Sequence, residues 1–289
     1  MPRAQANGIE LEYDTFGDPA NPALVLVMGL RTQMIAWEEE LCGLLADQGF
    51  HVIRFDNRDC GLSTQFDHLP APDFAAIFAG DRTTVPYTLA DMALDLVGLL
   101  DALGVDKAHL VGASMGGMIA QQCAIDHSER VLSLCSIMST TGNPAVGQPS
   151  PEALALLDQR PATTREEAVE ASVAAWRVFG SPGVDEEQLR ARSALAYDRA
   201  YNPAGGMRQY AAIIASPDRT PGLQGVRLPA LVVHGTADTL VNPSGGQATA
   251  AAIPDAELLL VDGMGHDLPP TVWPTLVRAI RRNADRAAA

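Results

Sequence analysis

The sequence predicts an α/β protein: a mostly parallel central sheet with helices on both faces and an inserted helical segment. Three observations carry this. Six short, nearly continuous apolar runs are spread along the chain, the form taken by strands covered on both faces. An amphipathic helix separates two of them, and strand, helix, strand in alternation argues for parallel pairing. From about Thr140 to about Leu228 the rhythm changes, Pro and Gly cluster, and strand-like runs vanish.

Taken in order, the first two runs are ALVLVMG (Ala23 to Gly29) and HVIRFD (His51 to Asp56). Leu89, Met92, Ala93, Leu96, Leu99, Leu100 and Leu103 then recur at helical spacing, with Thr88 placed to cap the start and Gly104 the end. AHLVGAS (Ala108 to Ser114) and VLSLCSIM (Val131 to Met138) follow. Within the changed region, TREEAVEASVAAWRVFG reads as a helix, and Trp176, Phe179, Tyr197, Tyr201 and Tyr210 supply aromatic content that fits ordinary packing first and the lining of a substrate pocket second. PALVVHG (Pro229 to Gly235) and AELLLVDG (Ala256 to Gly263) return to the sheet, and RAIRRNADRAAA reads as an exposed helix fraying into alanines. The expected layout is a core of residues 1–139 and 229–289 with a helical cap at 140–228. A chain of 289 residues can hold this as one large domain.

Composition narrows the partners. Thirty-five acidic against twenty basic residues give a net charge of -15, which repels polyanions and leaves no basic stripe for nucleic acid. The opening MPRAQANGIELEY lacks the apolar core of a signal peptide or anchor, and the C-terminal segment is too weakly apolar for stable membrane anchoring. A cytoplasmic location is expected. Cys42, Cys60, Cys123 and Cys135 lie far apart without C-x-x-C, so neither a zinc site nor a redox pair is suggested, and free buried thiols are expected.

The chemistry is concentrated in HLVGASMGGM, from His109 to Met118. Gly112, Ser114 and Gly116 form G-x-S-x-G after a strand and before a helix, the context of a nucleophile elbow. So sharp a turn strains its tip and brings strand and helix close, which requires small residues two positions to either side. Alone, the motif also describes a serine capping a helix. A serine nucleophile needs a base and the base an orienting acid. VVHGTADTLVNP places Asp238 just after one strand, and LLLVDGMGHDLP places His266 just after the next. The order Ser114, Asp238, His266 fits one mechanism at three strand ends.

On these residues the chain resembles the α/β-hydrolase superfamily along nearly its whole length. The resemblance implies Ser114 as nucleophile, His266 as base and then acid, and Asp238 as the group fixing the imidazole. Dehalogenases and epoxide hydrolases of the superfamily carry aspartate at the elbow, so the serine points to acyl transfer. Many relatives have His-Gly after the first long strand, where this chain has Met28 and Gly29. The chemistry there needs only backbone N–H groups, and Leu30 and Met115 are the expected oxyanion donors. FDNRDCGLST (Phe55 to Thr64) resembles a structural turn of these enzymes, with Asp59 where glycine is usual. Together VMGL, VIRFDNRDCGLST, GASMGGMIAQ and DGMGHDLP resemble the esterase branch that includes aclacinomycin methylesterase.

The expected function is therefore serine hydrolysis of a carboxylic ester, of carboxylesterase or methylesterase type, on a small to medium apolar substrate. No metal or organic cofactor is called for. Two alternatives stand beside it: cofactor-free perhydrolysis of haloperoxidase type, and a slow-turnover ligand receptor on the same fold. Packing or surface roles suffice for His51, His68, His109 and His127. His234 lies four residues before Asp238 and either approaches the site or packs at its strand end. Asp267 is the rival acid, badly placed to reach the ring of its neighbour His266.

Overall fold

In the computed structural model, which describes residues 1–157 and 160–287, the chain opens with two strands that apolar runs did not announce. β1 (Arg3–Ala6) and β2 (Ile9–Phe16) form an antiparallel hairpin. Asn7 and Gly8 join them with φ of 49° and 78°, and two successive positive φ values are what a tight two-residue hairpin turn requires. β1 and β2 are partly exposed and alternate in polarity, so no continuous run marks them.

The chain continues as β3 (Ala23–Val27), α1 (Glu39–Ala46), β4 (His51–Phe55), α2 (Phe74–Phe78), α3 (Leu89–Ala102), β5 (Ala108–Ala113), α4 (Met115–Asp126) and β6 (Val131–Ile137). Among the described residues, the helices α5 (Pro151–Leu157), α6 (Arg165–Phe179), α7 (Glu186–Arg199), α8 (Pro203–Ala215) and α9 (Thr220–Leu223) follow. The chain then returns through β7 (Ala230–Gly235), α10 (Ser244–Ala252), β8 (Glu257–Val261) and α11 (Trp273–Asp285). The strands lie in the order β1-β2-β4-β3-β5-β6-β7-β8. Pairing is parallel from β4 to β8 and antiparallel at β2.

Alternate strand residues feed two cores. Val25, Val27, Ile53, Leu110 and Leu134 pack with α3 and α4 on one face, while Leu24, Leu26, Val52, Val111 and Val233 pack with α1 and α11 on the other. The α3 start is held by the Asp91 carboxylate, which accepts from the Thr88 N–H at 2.7 Å and the Thr88 hydroxyl at 2.9 Å. Two expectations need correction. β8 is an edge strand with Leu258 and Leu260 exposed, so its run of leucines is covered on one face only. The C-terminal helix is not exposed all round: Val277, Ala279, Ile280, Asn283 and Ala284 of α11 are buried against the sheet, and the last two alanines lie outside the described residues.

The helices between β6 and β7 are tied to the sheet domain by charge as well as by packing. Arg199 of α7 meets Asp56 at 2.7 Å. Arg208 of α8 forms a bidentate pair with Asp59 at 2.8 and 2.7 Å, and the Tyr87 hydroxyl donates to the same carboxylate at 2.7 Å. Asp59 has φ of 63°, a left-handed conformation that glycine would adopt without strain. Gln209 accepts from the Arg31 N–H at 2.9 Å and donates to the Arg58 carbonyl at 2.8 Å.

Candidate active site

β5 lies between β3 and β6, and the chain turns from it directly into α4 at Ser114. Ser114 has φ 55° and ψ -121°, a conformation that an L-residue keeps only when its surroundings enforce it. A Cβ at Gly112 would stand 2.1 Å from the Gly116 carbonyl oxygen, and one at Gly116 would stand 2.0 Å from that of Val27. Both positions are therefore closed to any side chain. Gly117, which sequence reasoning did not single out, is equally confined: its Cβ would lie 2.7 Å from that of Ser139, whose hydroxyl donates to the Ser114 carbonyl at 2.8 Å. The consecutive glycines after the serine are the signal that marks it.

The loops after β7 and β8 bring Asp238 and His266 to the serine. His266 Nε2 lies 3.0 Å from Ser114 Oγ, and His266 Nδ1 lies 2.7 Å from Asp238 Oδ2. The other carboxylate oxygen, Oδ1, accepts from the N–H groups of Leu240 and Val241, each at 2.9 Å. Burial alone would push the Asp238 carboxyl up. The adjacent His266, hydrogen bonds from both histidines and the Val241 amide outweigh it and hold the group at about 2. An ionised carboxylate can only accept, so His266 carries its proton on Nδ1 and presents Nε2 as an acceptor to the serine hydroxyl. Ser114 is partly exposed, whereas Asp238 and His266 are buried.

Beside Ser114, the chain leaving β3 comes close enough that a Cβ on Gly29 would touch Ser114 Cβ at 3.0 Å and its Oγ at 3.5 Å. This brings Leu30 next to the serine, while Met115 follows it at the N-terminus of α4. Neither amide is engaged in a loop or cap hydrogen bond among the described residues. Backbone N–H groups at these two places, one of them a helix N-terminus, are of the kind that suits a developing oxyanion.

His234 does approach the site. Its Nε2 donates to the Val241 carbonyl at 2.8 Å and lies 3.4 Å from Asp238 Oδ2. Asp267 turns away from the imidazole: its Oδ1 accepts from the Ser181 N–H at 2.9 Å and from the Ser181 hydroxyl. Of the five insertion aromatics, Phe179 reaches the site, edge-on to the His266 ring at 6.3 Å. Tyr197 and Tyr201 stack on each other. His109 packs against Phe50 and bonds Ser133 at 2.8 Å. All four cysteines are buried, and burial pushes the Cys42 and Cys123 thiols up to about 12, which removes the thiolate a nucleophile needs. No group of three or more His, Cys, Asp or Glu able to hold a metal, and no helix long and apolar enough to cross a membrane, occurs among the described residues.

A parallel sheet entered by a serine elbow, with acid and histidine delivered by later strand ends, is the architecture of one large class of enzymes, and residues 22–270 match the model of the alpha/beta hydrolase fold. The chain belongs to that family. It is 31% identical over 295 residues to the rhodomycin D methylesterase DauP of Streptomyces sp. (strain C5), covering 94% of both chains. It is 29% identical to 3-oxoadipate enol-lactonase 2 of Acinetobacter baylyi, covering 84% of this chain and 81% of that one. Among solved structures, an enol-lactonase from Burkholderia xenovorans LB400 superposes with a TM-score of 0.71 over 99% of both chains at 24% identity, a likeness of fold.

Proposed function

We propose that the protein is a serine hydrolase of carboxylic esters, of carboxylesterase or methylesterase type, with Ser114, His266 and Asp238 as its triad. The observation that carries this is the continuous hydrogen-bonded line from Ser114 Oγ through His266 to Asp238. The rhodomycin D methylesterase and enol-lactonase relatives support ester and lactone carbonyls as the substrate class. They give no preference to peracid chemistry or to a receptor.

His266 Nε2 takes the proton from Ser114 Oγ as the oxygen adds to the ester carbonyl carbon. The N–H groups of Leu30 and Met115 receive the oxyanion, and the Asp238 carboxylate stabilises the imidazolium. His266 then returns the proton to the departing alcohol, leaving an acyl group on Ser114. Water enters, gives its proton to His266 and adds to the acyl carbon; collapse then frees the acid as His266 returns the proton to Ser114 Oγ and regenerates the hydroxyl. The glycines at 112 and 116 hold the elbow in the shape this requires.

Residues 140–228 act in this proposal as a cap over the site, and the core is formed by 1–139 and 229–289. The apolar substrate enters between the two, a placement supported by the contact of Phe179 with His266. The test is hydrolysis of p-nitrophenyl esters from acetate to palmitate, with an aromatic methyl ester beside them, each run against Ser114→Ala. Turnover abolished in the variant is expected. Turnover retained by Ser114→Ala refutes the mechanism, and a folded wild-type protein that turns over none of the esters refutes the substrate class.

A further inference from the structure

We propose that residues 178–181, at the end of α6, together with Asp267 form a brace that sets the position of His266, and that Ser181 and Asp267 are positioning residues for the proton transfer. The proposal builds on the triad assignment above.

Three successive residues of the histidine loop are each bound by this one stretch of the insertion. The Gly265 N–H donates to Ser181 Oγ at 2.9 Å, the His266 N–H donates to the Phe179 carbonyl at 2.5 Å, and Asp267 Oδ1 accepts both the N–H and the hydroxyl of Ser181. The same stretch also holds the acid's loop, since Thr239, next to Asp238, donates its hydroxyl to the Val178 carbonyl at 2.9 Å. Contact is close enough that a Cβ on Gly265 would lie 2.4 Å from the carbonyl carbon of Gly180. The Phe179 ring meets the imidazole edge-on.

This loop needs outside support. It follows β8, the edge strand, beside which no further strand pairs among the described residues. The imidazole must satisfy two distances at once, 3.0 Å to the serine and 2.7 Å to the carboxylate, so a shift of the His266 backbone spoils both. Misplacing a reacting group by about 1 Å can cost about a hundredfold. Asp267 serves the brace as an acceptor, through one oxygen. An asparagine there keeps that oxygen, whereas alanine removes it.

The experiment compares Asp267→Ala, Ser181→Ala and Asp267→Asn with wild type in three measurements. These are kcat and KM on p-nitrophenyl acetate and butyrate, the rate of Ser114 phosphonylation by an alkyl fluorophosphonate, and the low-field proton resonance of His266 Nδ1–H. The alanine variants are expected to lose about 10- to 100-fold in kcat and in phosphonylation alike. Their KM should stay within about threefold and the low-field resonance should broaden or vanish, while Asp267→Asn keeps all three readouts near wild type. The proposal is overturned if the alanine variants melt lower yet keep wild-type kcat, since the contacts then only hold the fold. It is also overturned if the loss falls in KM and grows with acyl length, or if Asp267→Asn is as damaged as Asp267→Ala. The resonance does not depend on ester turnover. A wild type inert to esters but showing the expected pattern of resonances would sink the esterase proposal and leave the brace standing.

Discussion

Replacing Asp238 with asparagine exchanges one of two acceptor oxygens for an NH2 group, and the structure dictates which one. The amides of Leu240 and Val241 both point at Oδ1 from 2.9 Å, so the asparagine oxygen is retained there and its NH2 faces His266. His266 Nδ1 must then accept, its proton moves to Nε2, and the ring offers the serine a donor in place of a base. Turning the amide over to restore the productive tautomer would leave two backbone donors without acceptors. That costs about 1–3 kcal/mol each, so about 2–6 kcal/mol together. Converted at about 1.4 kcal/mol per decade, the productive tautomer falls roughly 30- to 20,000-fold. Loss of the charge that stabilises the imidazolium adds to this, and a fall in kcat/KM of about 10³–10⁴-fold is expected, the size of effect seen for the same exchange in a protease triad. The assay is steady-state hydrolysis of p-nitrophenyl acetate, with a thermal melt to show that the fold is intact. An Asp238→Asn enzyme within tenfold of wild type would refute the assignment of the acid.

Ser114→Ala and His266→Ala should each lower kcat by several orders of magnitude while leaving the circular dichroism spectrum unchanged. Ser114→Gly, equally inactive, should melt higher than wild type, because relief of the strained φ is worth about 1–3 kcal/mol against about 0.5–1 kcal/mol of added chain entropy; a lower melting temperature would show that the elbow stores no strain. Gly116→Ala should destabilise the protein by about 1–3 kcal/mol or more and depress turnover, since its methyl would overlap the Val27 carbonyl; wild-type denaturant midpoint and rate would contradict the contact. His109 is pushed down to about 4 by burial and then by Arg281, so the unfolded chain binds the proton more readily than the fold between about pH 6.5 and 4. Stability should therefore fall by up to about 3 kcal/mol across that window as pH drops, and His109→Gln should flatten that part of the urea-midpoint profile.

Much of this was legible because the relevant signals are local. The strands β3 to β7 are buried on both faces and write themselves as apolar runs, the serine and aspartate each follow such a run within a few residues, and the histidine follows the leucines of β8. β1 and β2 carry the alternating pattern of partly exposed strands, and their one strong mark is the Asn7-Gly8 turn. The leucines of β8 look like those of an interior strand because a sequence does not record whether a neighbour lies alongside. The brace was out of reach for a related reason: Ser181 and Asp267 are 86 residues apart, and neither position has a pattern that names the other. Asp267 could be rejected as the triad acid by adjacency, but its partner belonged to the insertion and required coordinates.

The pairing of Asp59 with Arg208 also constrains how such a protein can change. Glycine at 59 would suit the backbone, yet taken alone it leaves the buried Arg208 guanidinium with Asp67 as its remaining carboxylate, and removing Arg208 alone leaves the buried Asp59 carboxylate without its countercharge. Breaking a buried pair from one side costs about 3–5 kcal/mol, whereas exchanging both partners for apolar groups is often neutral or favourable. Each single step from the paired to the unpaired form therefore descends into a valley that the double step avoids. The two positions, 149 residues apart, are therefore coupled, and a mutational path that repositions α8 is easiest where both change together.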